Sequence, residues 1–381
     1  MTDQITEFRF VASDAALGDL RTRLALTRWP EAETVEDWSQ GVPLSVLREL
    51  VDYWRDGYDW RRCEARLHAL PQFTTKIDGL DIHFIHLRSR HENARPLLLT
   101  HGWPGSVLEF VDAIPRLVDP EAHGGTAADA FHVVVPSLPG YGFSGKPEKA
   151  GWNLHRTANA WAELMKRLGY ERWFAQGGDW GSALTCIIGA LAPPGCAGVH
   201  VNLMGIKPPE ESLANPTPEE AHALACSKFY YDSDNGYATE QSTRPQTIGY
   251  SLVDSPVGLA AWILEKIYFW TDNNGSPFDA ISRDKALDEI TLYWLTASGA
   301  SSARMYWESL NWTRKREPII VPLGYTLFPR EIFPTPVEWV RAACPTLVYG
   351  NKAARGGHFA AWEQPEIFVD ELRAAFAAMD N

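Results

Sequence analysis

The stretch FAQGGDWGSAL (residues 174–184) runs an apolar segment into two glycines, then Asp179, Trp180, Gly181 and Ser182, before an apolar helical pattern resumes. A strand that turns sharply into a helix through G-x-S-x-G exposes a nucleophilic serine at the end of an α/β sheet. Here the third place is aspartate, and the pattern reads G-x-D-x-G. An aspartate just before a helix is most simply an N-cap that accepts orphan backbone N–H groups. The flanking glycines argue for more. Gly177 and Gly181 stand two residues to either side of Asp179, where a very tight turn would drive neighbouring side chains into collision; an ordinary cap makes no such demand. No G-x-S-x-G occurs elsewhere in the chain, so no serine competes for the position.

Outward from this elbow the chain alternates. TTKIDGLDIHFIHL holds two period-two runs around Asp78-Gly79, a strong hairpin signal. Short apolar runs follow at PLLLTHG, FHVVVPS, RWFAQGG and GVHVNLM, and much later at CPTLVYG, with helix-length amphipathic segments between the first four. This predicts a mostly parallel central sheet with helices on both faces, residues 71–205 forming its first part and 315–381 its second. Between them, residues 206–314 are aromatic-rich and helical in pattern, as expected of a lid inserted between two strands. The first 70 residues also read as helical. Ser13 is a plausible N-cap for SDAALGDLRTRLALTRWP, with Leu17, Leu20 and Leu24 on one face and a stop at Pro30. PLSVLRELVDYWRDGYDWRRCEARL carries Leu47, Leu50, Val51 and Trp54 on one stripe. Residues 1–70 offer too little apolar surface to fold alone and are expected to wrap the core.

Two further motifs bear on chemistry. In LLLTHGWPGS a strand enters His101-Gly102-Trp103-Pro104 one crossover before the elbow, where a backbone N–H can face a developing oxyanion. Trp103 is the expected donor and Trp180, which follows Asp179, the second; His101 reads as structural. In NKAARGGHFAAWEQP, His358 follows two glycines in a loop after the last predicted strand. A lone loop histidine is commonly only a surface residue, but this one lies C-terminal to the elbow, as the order nucleophile, acid, histidine requires. The acid must lie between the lid and His358. Glu331 in FPREIFP is the first choice, with Glu338 and Glu317 as alternatives.

Composition bounds the rest. The chain has 381 residues, 45% of them hydrophobic, enough to bury a large core. A net charge of −13 without a Lys/Arg cluster argues against nucleic acid or an anionic membrane surface as partner. Five cysteines, an odd number without C-x-x-C spacing, fit a reducing compartment and argue against a disulfide framework or a structural zinc site. No signal-peptide pattern opens the sequence and no run reaches the roughly 18 apolar residues of a membrane helix. The expectation is a cytoplasmic protein whose assembly, monomer or homodimer, the sequence does not fix.

The motifs HGWPGS, GYGFSG, GGDWGS, STRPQTIGYSLVDSPVGLAAWILEK and RGGHFAAWEQP together resemble the epoxide hydrolases of the microsomal and juvenile-hormone type, within the α/β-hydrolase superfamily. The resemblance covers nearly the whole chain, including an N-terminal segment similar to that family's meander. It implies an α/β-hydrolase fold with Asp179 as nucleophile, Glu331 as acid and His358 as base. It also implies two lid tyrosines, Tyr237 and Tyr306, which on their own would read as ordinary lid aromatics. The membrane-bound members carry an N-terminal anchor helix with no counterpart here, which implies a soluble relative of bacterial or fungal type. The implied reaction converts an epoxide and water to a vicinal diol through an alkyl ester of Asp179, with no metal or organic cofactor. Sixteen tryptophans and an aromatic lid point to a bulky or aromatic substrate. A haloalkane dehalogenase would share the Asp elbow but would not need two phenols to protonate a leaving oxygen. A non-enzymatic ligand-binding relative would tolerate loss of the triad, every member of which is present.

Overall fold

The computed structural model describes residues 4–309 and 317–380. Its strands are β1 (Ile5–Glu7), β2 (Gln72–Ile77), β3 (Leu80–Leu87), β4 (Arg95–Thr100), β5 (Phe131–Pro136), β6 (Trp173–Gly177), β7 (Cys196–Val201), β8 (Leu323–Leu327) and β9 (Leu347–Lys352). They form one sheet in the order β1-β2-β3-β5-β4-β6-β7-β8-β9. The first three strands join antiparallel, and every pairing from β5 onward is parallel. Asp78 and Gly79 turn β2 into β3 with φ of 49° and 83°, the conformation that a two-residue hairpin turn requires. Every residue of β5, β6 and β8 is buried, so both faces of the sheet are covered. Helices Leu154–Arg167 and Trp180–Leu191 pack on each other, while the C-terminal helix Pro365–Met379 packs with Ile114–Val118 and lies against β7, β8 and β9.

The N-terminal segment departs from its expected outline in three places. Its helix over Asp14–Ala25, capped by Ser13, ends well before Pro30. The second pattern is broken at Gly57 into helices Leu44–Asp56 and Trp60–His68, the latter capped by Asp59. The segment also supplies β1, whose three residues carry no visible alternation. Its partners lie largely in the lid. Trp54 donates to Thr291 (2.9 Å), Tyr58 to Asp288 (2.7 Å) and Tyr53 to Asp284 (2.6 Å), while Trp38 stacks on Tyr268.

Between β7 and β8 the described chain is helical, with main elements at Pro218–Phe229, Gly236–Thr243, Pro245–Asp254, Pro256–Trp270, Arg283–Leu295 and Ser298–Ser309. The lid boundary expected at 314/315 lies outside the described residues. β8 is the strand that the sequence reading passed over. It is a five-residue strand with Gly324 inside it and prolines at 322 and 329 on either side, a pattern that reads as a loop. Glu331 follows it directly. Among the described residues no single helix is long and apolar enough to cross a membrane.

Candidate active site

At the end of β6 the chain passes through Asp179 with φ 49° and ψ −124°, a conformation that few non-glycine residues adopt. The neighbouring glycines explain how it fits. A Cβ on Gly177 would lie 2.1 Å from the Gly181 backbone, and one on Gly181 would lie 1.9 Å from the Thr100 carbonyl oxygen. The helix Trp180–Leu191 begins immediately, yet the Asp179 side chain makes no capping hydrogen bond to it. Its Oδ1 instead accepts the Trp103 backbone N–H at 2.7 Å. The simple N-cap reading therefore fails. Backbone strain of this kind costs about 1–3 kcal/mol and persists where the surrounding structure fixes it.

The loop after β4 brings Trp103 to the carboxylate through a cis Trp103–Pro104 peptide. Gly102 is required here, since a Cβ would fall 2.2 Å from Asp179 Oδ1. His101 is buried with both ring nitrogens engaged: Nδ1 faces the Gly102 carbonyl at 2.9 Å, and Nε2 accepts the Leu138 N–H at 3.1 Å. Burial pushes its pKa down to about 4, so it stays neutral, in keeping with a structural role.

His358 and Glu331 reach the same point from the two loops after β9 and β8. Arg330 bridges to Gly357 between those loops. His358 Nδ1 lies 2.5 Å from Glu331 Oε1, and its Nε2 lies 3.4 Å from Asp179 Oδ2. Both His358 and Glu331 are buried, at 3% exposure each. Of the alternative acids, Glu338 points to solvent beside Arg341 and Glu317 is exposed. Burial would depress the His358 pKa, but the Glu331 and Asp179 carboxylates on its two sides outweigh that and hold it well above its ordinary value.

Tyr237 and Tyr306 descend from helices Gly236–Thr243 and Ser298–Ser309 and are nearly buried. The Tyr237 ring stacks on Trp103 at 4.8 Å. Tyr306 meets Trp180 edge-on at 4.7 Å, and the two phenol rings are 5.8 Å apart. Burial is the main reason that both phenols are pushed well above the usual tyrosine range; nearby Asp179 adds to this in each case. Both remain protonated and able to donate. With Asp179 and Trp180 they line one cavity of about 580 Å³, whose other walls include Tyr230, Tyr231, Ile332, Phe333 and Trp339. All seven residues singled out in the sequence thus surround one point.

Several residues that shape the site escaped sequence reasoning. The Trp270 carbonyl accepts the His358 backbone N–H at 2.8 Å, and its ring lies 5.0 Å from the imidazole. Trp270 is held in turn by Asp234, which accepts its indole N–H at 2.7 Å and pairs with the buried Lys266. Glu363 accepts backbone N–H groups from Gly357, Phe359 and Asp272. Glu109 sits behind the Trp103 loop, where burial pushes its carboxyl up to about 8. Only Glu363 left a local trace, as an acid five residues after His358 in HFAAWEQP.

A mostly parallel sheet with an aspartate elbow after β6 and an acid and a histidine following β8 and β9 defines a protein of the α/β-hydrolase fold. A family model described as "alpha/beta hydrolase fold" matches residues 95–232, and one described as "Epoxide hydrolase N terminus" matches residues 5–110. A candidate epoxide hydrolase of Stigmatella aurantiaca is 55% identical over 98% of this chain and 84% of its own length. Epoxide hydrolase 1 of Sus scrofa is 36% identical over 100% of this chain and 90% of its own. The solved structure of Aspergillus niger epoxide hydrolase superposes with a TM-score of 0.88 at 35% identity, covering 99% of this chain and 96% of that one. The chain belongs to the epoxide hydrolase family.

Proposed function

We propose that this epoxide hydrolase opens its substrate in two steps, with Asp179 as nucleophile. An epoxide offers a strained sp³ carbon and no carbonyl, and a carboxylate can displace there without first losing a proton. Asp179 Oδ1 is occupied by the Trp103 N–H, which leaves Oδ2 for the attack. As the ring C–O bond breaks, the departing oxygen takes a proton from a phenol, Tyr237 or Tyr306, help that general acids typically supply at 10²–10⁴-fold. Oδ1 then becomes the carbonyl oxygen of an alkyl ester, already held by Trp103, with the Trp180 N–H as second donor. Each such donor is worth about 3 kcal/mol in the tetrahedral intermediate. His358, oriented by Glu331, takes a proton from water as it attacks Cγ of Asp179, and returns it to the diol oxygen as the Cγ–Oδ2 bond breaks, leaving Asp179 as a carboxylic acid whose proton makes good the one the phenol gave up.

The single observation that carries this reading is the side chain of Asp179. It ignores the helix it precedes and lies between the Trp103 N–H and His358. The two buried phenols facing it favour a leaving oxygen over a halide, which N–H donors would hold without a proton, and so favour the epoxide over the haloalkane. The aromatic cavity walls and a volume inside the usual 300–1,000 Å³ range support a bulky or aromatic epoxide.

Replacing His358 with Gln tests the covalent step. Alkylation does not need the base, so His358→Gln should accumulate an adduct equal in mass to the substrate on the peptide containing Asp179. A single turnover of wild type in heavy-oxygen water should label that peptide and leave the diol largely unlabelled. Labelled diol, an unlabelled Asp179 peptide and no adduct would mean that His358 directs water straight onto the epoxide carbon.

A further inference from the structure

The two phenols above Asp179 are not equivalent. The Tyr306 hydroxyl has no hydrogen-bond partner among the described residues, whereas the Tyr237 hydroxyl lies 3.2 Å from the hydroxyl of a third tyrosine, Tyr230. Tyr230 lines the same cavity and is only half-buried, while Tyr237 is 6% exposed. Its position is built by an unusual backbone. Helix Pro218–Phe229 runs into a π-helical turn over Tyr230–Asp234 before helix Gly236–Thr243 begins. Such turns are rare and concentrate at functional sites. The far end of this turn is anchored by Asp234, bound to Lys266 at 2.7 Å and to the Trp270 indole at 2.7 Å. The Tyr230 ring is held by Phe333 edge-on at 4.7 Å. Both ends of the turn are therefore fixed, and the contact between the two hydroxyls does not depend on a loose loop.

We propose that Tyr230 is a third phenol of the reaction, a relay that passes a proton from the solvent side of the cavity to Tyr237. The proposal rests on the reading of Tyr237 as a proton donor to the epoxide. The Tyr237 O–H proton goes to the epoxide oxygen as the ring C–O bond breaks and the carbon–Oδ2 bond forms. In the same step the Tyr230 O–H proton moves to the Tyr237 oxygen, which leaves the Tyr230 oxygen ionised. Through cavity water Tyr230 then recovers the proton that Asp179 holds as a carboxylic acid once its ester is hydrolysed, so protons balance over the whole turnover without any further reactant. Burial raises both phenols, and Tyr237 is the more deeply buried of the two, so a bare phenolate is disfavoured there and a proton arriving from the more exposed Tyr230 is favoured. No third phenol stands within hydrogen-bond distance of the Tyr306 hydroxyl, so the relay acts on Tyr237 directly. Tyr230 thus acts through Tyr237, and its contribution should vanish when the Tyr237 hydroxyl is gone.

The test is a double-variant cycle on the alkylation rate, read by single-turnover kinetics with an aryl epoxide. Tyr230→Phe should slow alkylation by roughly 3- to 10-fold, the effect of one neutral hydrogen bond, and should reduce the solvent isotope effect on that step. The same change in a Tyr237→Phe background should have no further effect, whereas in a Tyr306→Phe background its full effect should remain. If Tyr230→Phe weakens substrate binding equally in all three backgrounds and leaves the isotope effect unchanged, Tyr230 is only a wall of the cavity and the relay is wrong. If Tyr237→Phe itself leaves alkylation unchanged, the reading of Tyr237 as donor fails first, and the relay fails with it.

Discussion

Replacing Asp179 with asparagine removes one charge and almost no volume, and so imitates what alkylation does to this side chain. In the resting site His358 stands between two carboxylates, with Nε2 3.4 Å from Asp179 and Nδ1 2.5 Å from Glu331. Two unit charges 3.4 Å apart attract by about 5 kcal/mol at an effective dielectric of about 20. That figure is an upper bound, because the Asp179 side chain keeps 16% of its exposure. An opposite charge at this range shifts a pKa by about 1–3 units. The His358 pKa should therefore fall in Asp179→Asn, while Glu331 retains its share of the elevation. Titrating the ring by nitrogen–proton NMR on histidine-labelled protein, assigned with His358→Gln, measures the shift. A change smaller than about half a unit would refute the reasoning. The consequence is kinetic. His358 is charged before alkylation, when no base is needed, and esterification of Asp179 lowers its affinity for the proton just when a base is required. Ester hydrolysis should accordingly rise with pH through the lowered pKa and then level off.

Two further outcomes follow from the same geometry. Glu331→Gln should leave the fold intact and slow ester hydrolysis by roughly 10²- to 10⁴-fold, because the amide neither fixes the tautomer nor stabilises the imidazolium; wild-type activity in this variant, with Glu338 essential instead, would reassign the acid. Glu109, with its carboxyl pushed up from 4.5 to about 8 by burial, binds a proton in the folded state that the unfolded chain has lost. Between those two pH values stability should fall as pH rises, and Glu109→Gln should remove a part of that slope worth a few kcal/mol at most. Denaturant titrations from pH 5 to 9 compare the slopes, and parallel curves would show that Glu109 is not held protonated.

What could be read from the sequence was whatever leaves a local demand. The elbow was legible because both glycines are forced by close backbone approach, 2.1 Å and 1.9 Å for the missing Cβ atoms. The hairpin was legible because Asp78-Gly79 is the residue pair that its turn conformation selects. Glu331 could be ranked above Glu338 and Glu317 only through chain order and resemblance, since its burial against His358 is a property of two loops from different strands. β8 was missed because its short run, with Gly324 inside it and prolines at 322 and 329 on either side, carries the marks of a loop. The N-terminal helices were expected to wrap the core, but the polar contacts that fix them, at Trp54, Tyr58 and Tyr53, are with a lid helix more than 200 residues away. Tyr230 was invisible for a related reason. Tyr230 opens the π-helical turn and Tyr237 lies in the helix after it, a break in the helix that no local pattern announces.

The residues that escaped the sequence share one task, which bears on how the two steps stay in register. Glu363 gathers the backbone N–H groups of Gly357 and Phe359, on either side of His358, together with that of Asp272, just beyond the lid helix that ends at Trp270. The N–H of His358 itself goes to the Trp270 carbonyl. Trp270 is pinned through its indole to Asp234, three residues before Tyr237, and the Lys266 ammonium that neutralises Asp234 lies 4.7 Å from the Tyr237 ring centre. A continuous set of buried hydrogen bonds, completed by the Lys266 ammonium over the Tyr237 ring, therefore runs from the loop of the base to the ring of the acid. A lid free to swing at this end would break the two hydrogen bonds that cross between lid and core, from the His358 N–H to the Trp270 carbonyl and from the Asp272 N–H to Glu363, leaving buried polar groups unpaired at about 1–3 kcal/mol each. The acid on the lid and the base on the core are thereby held in one frame.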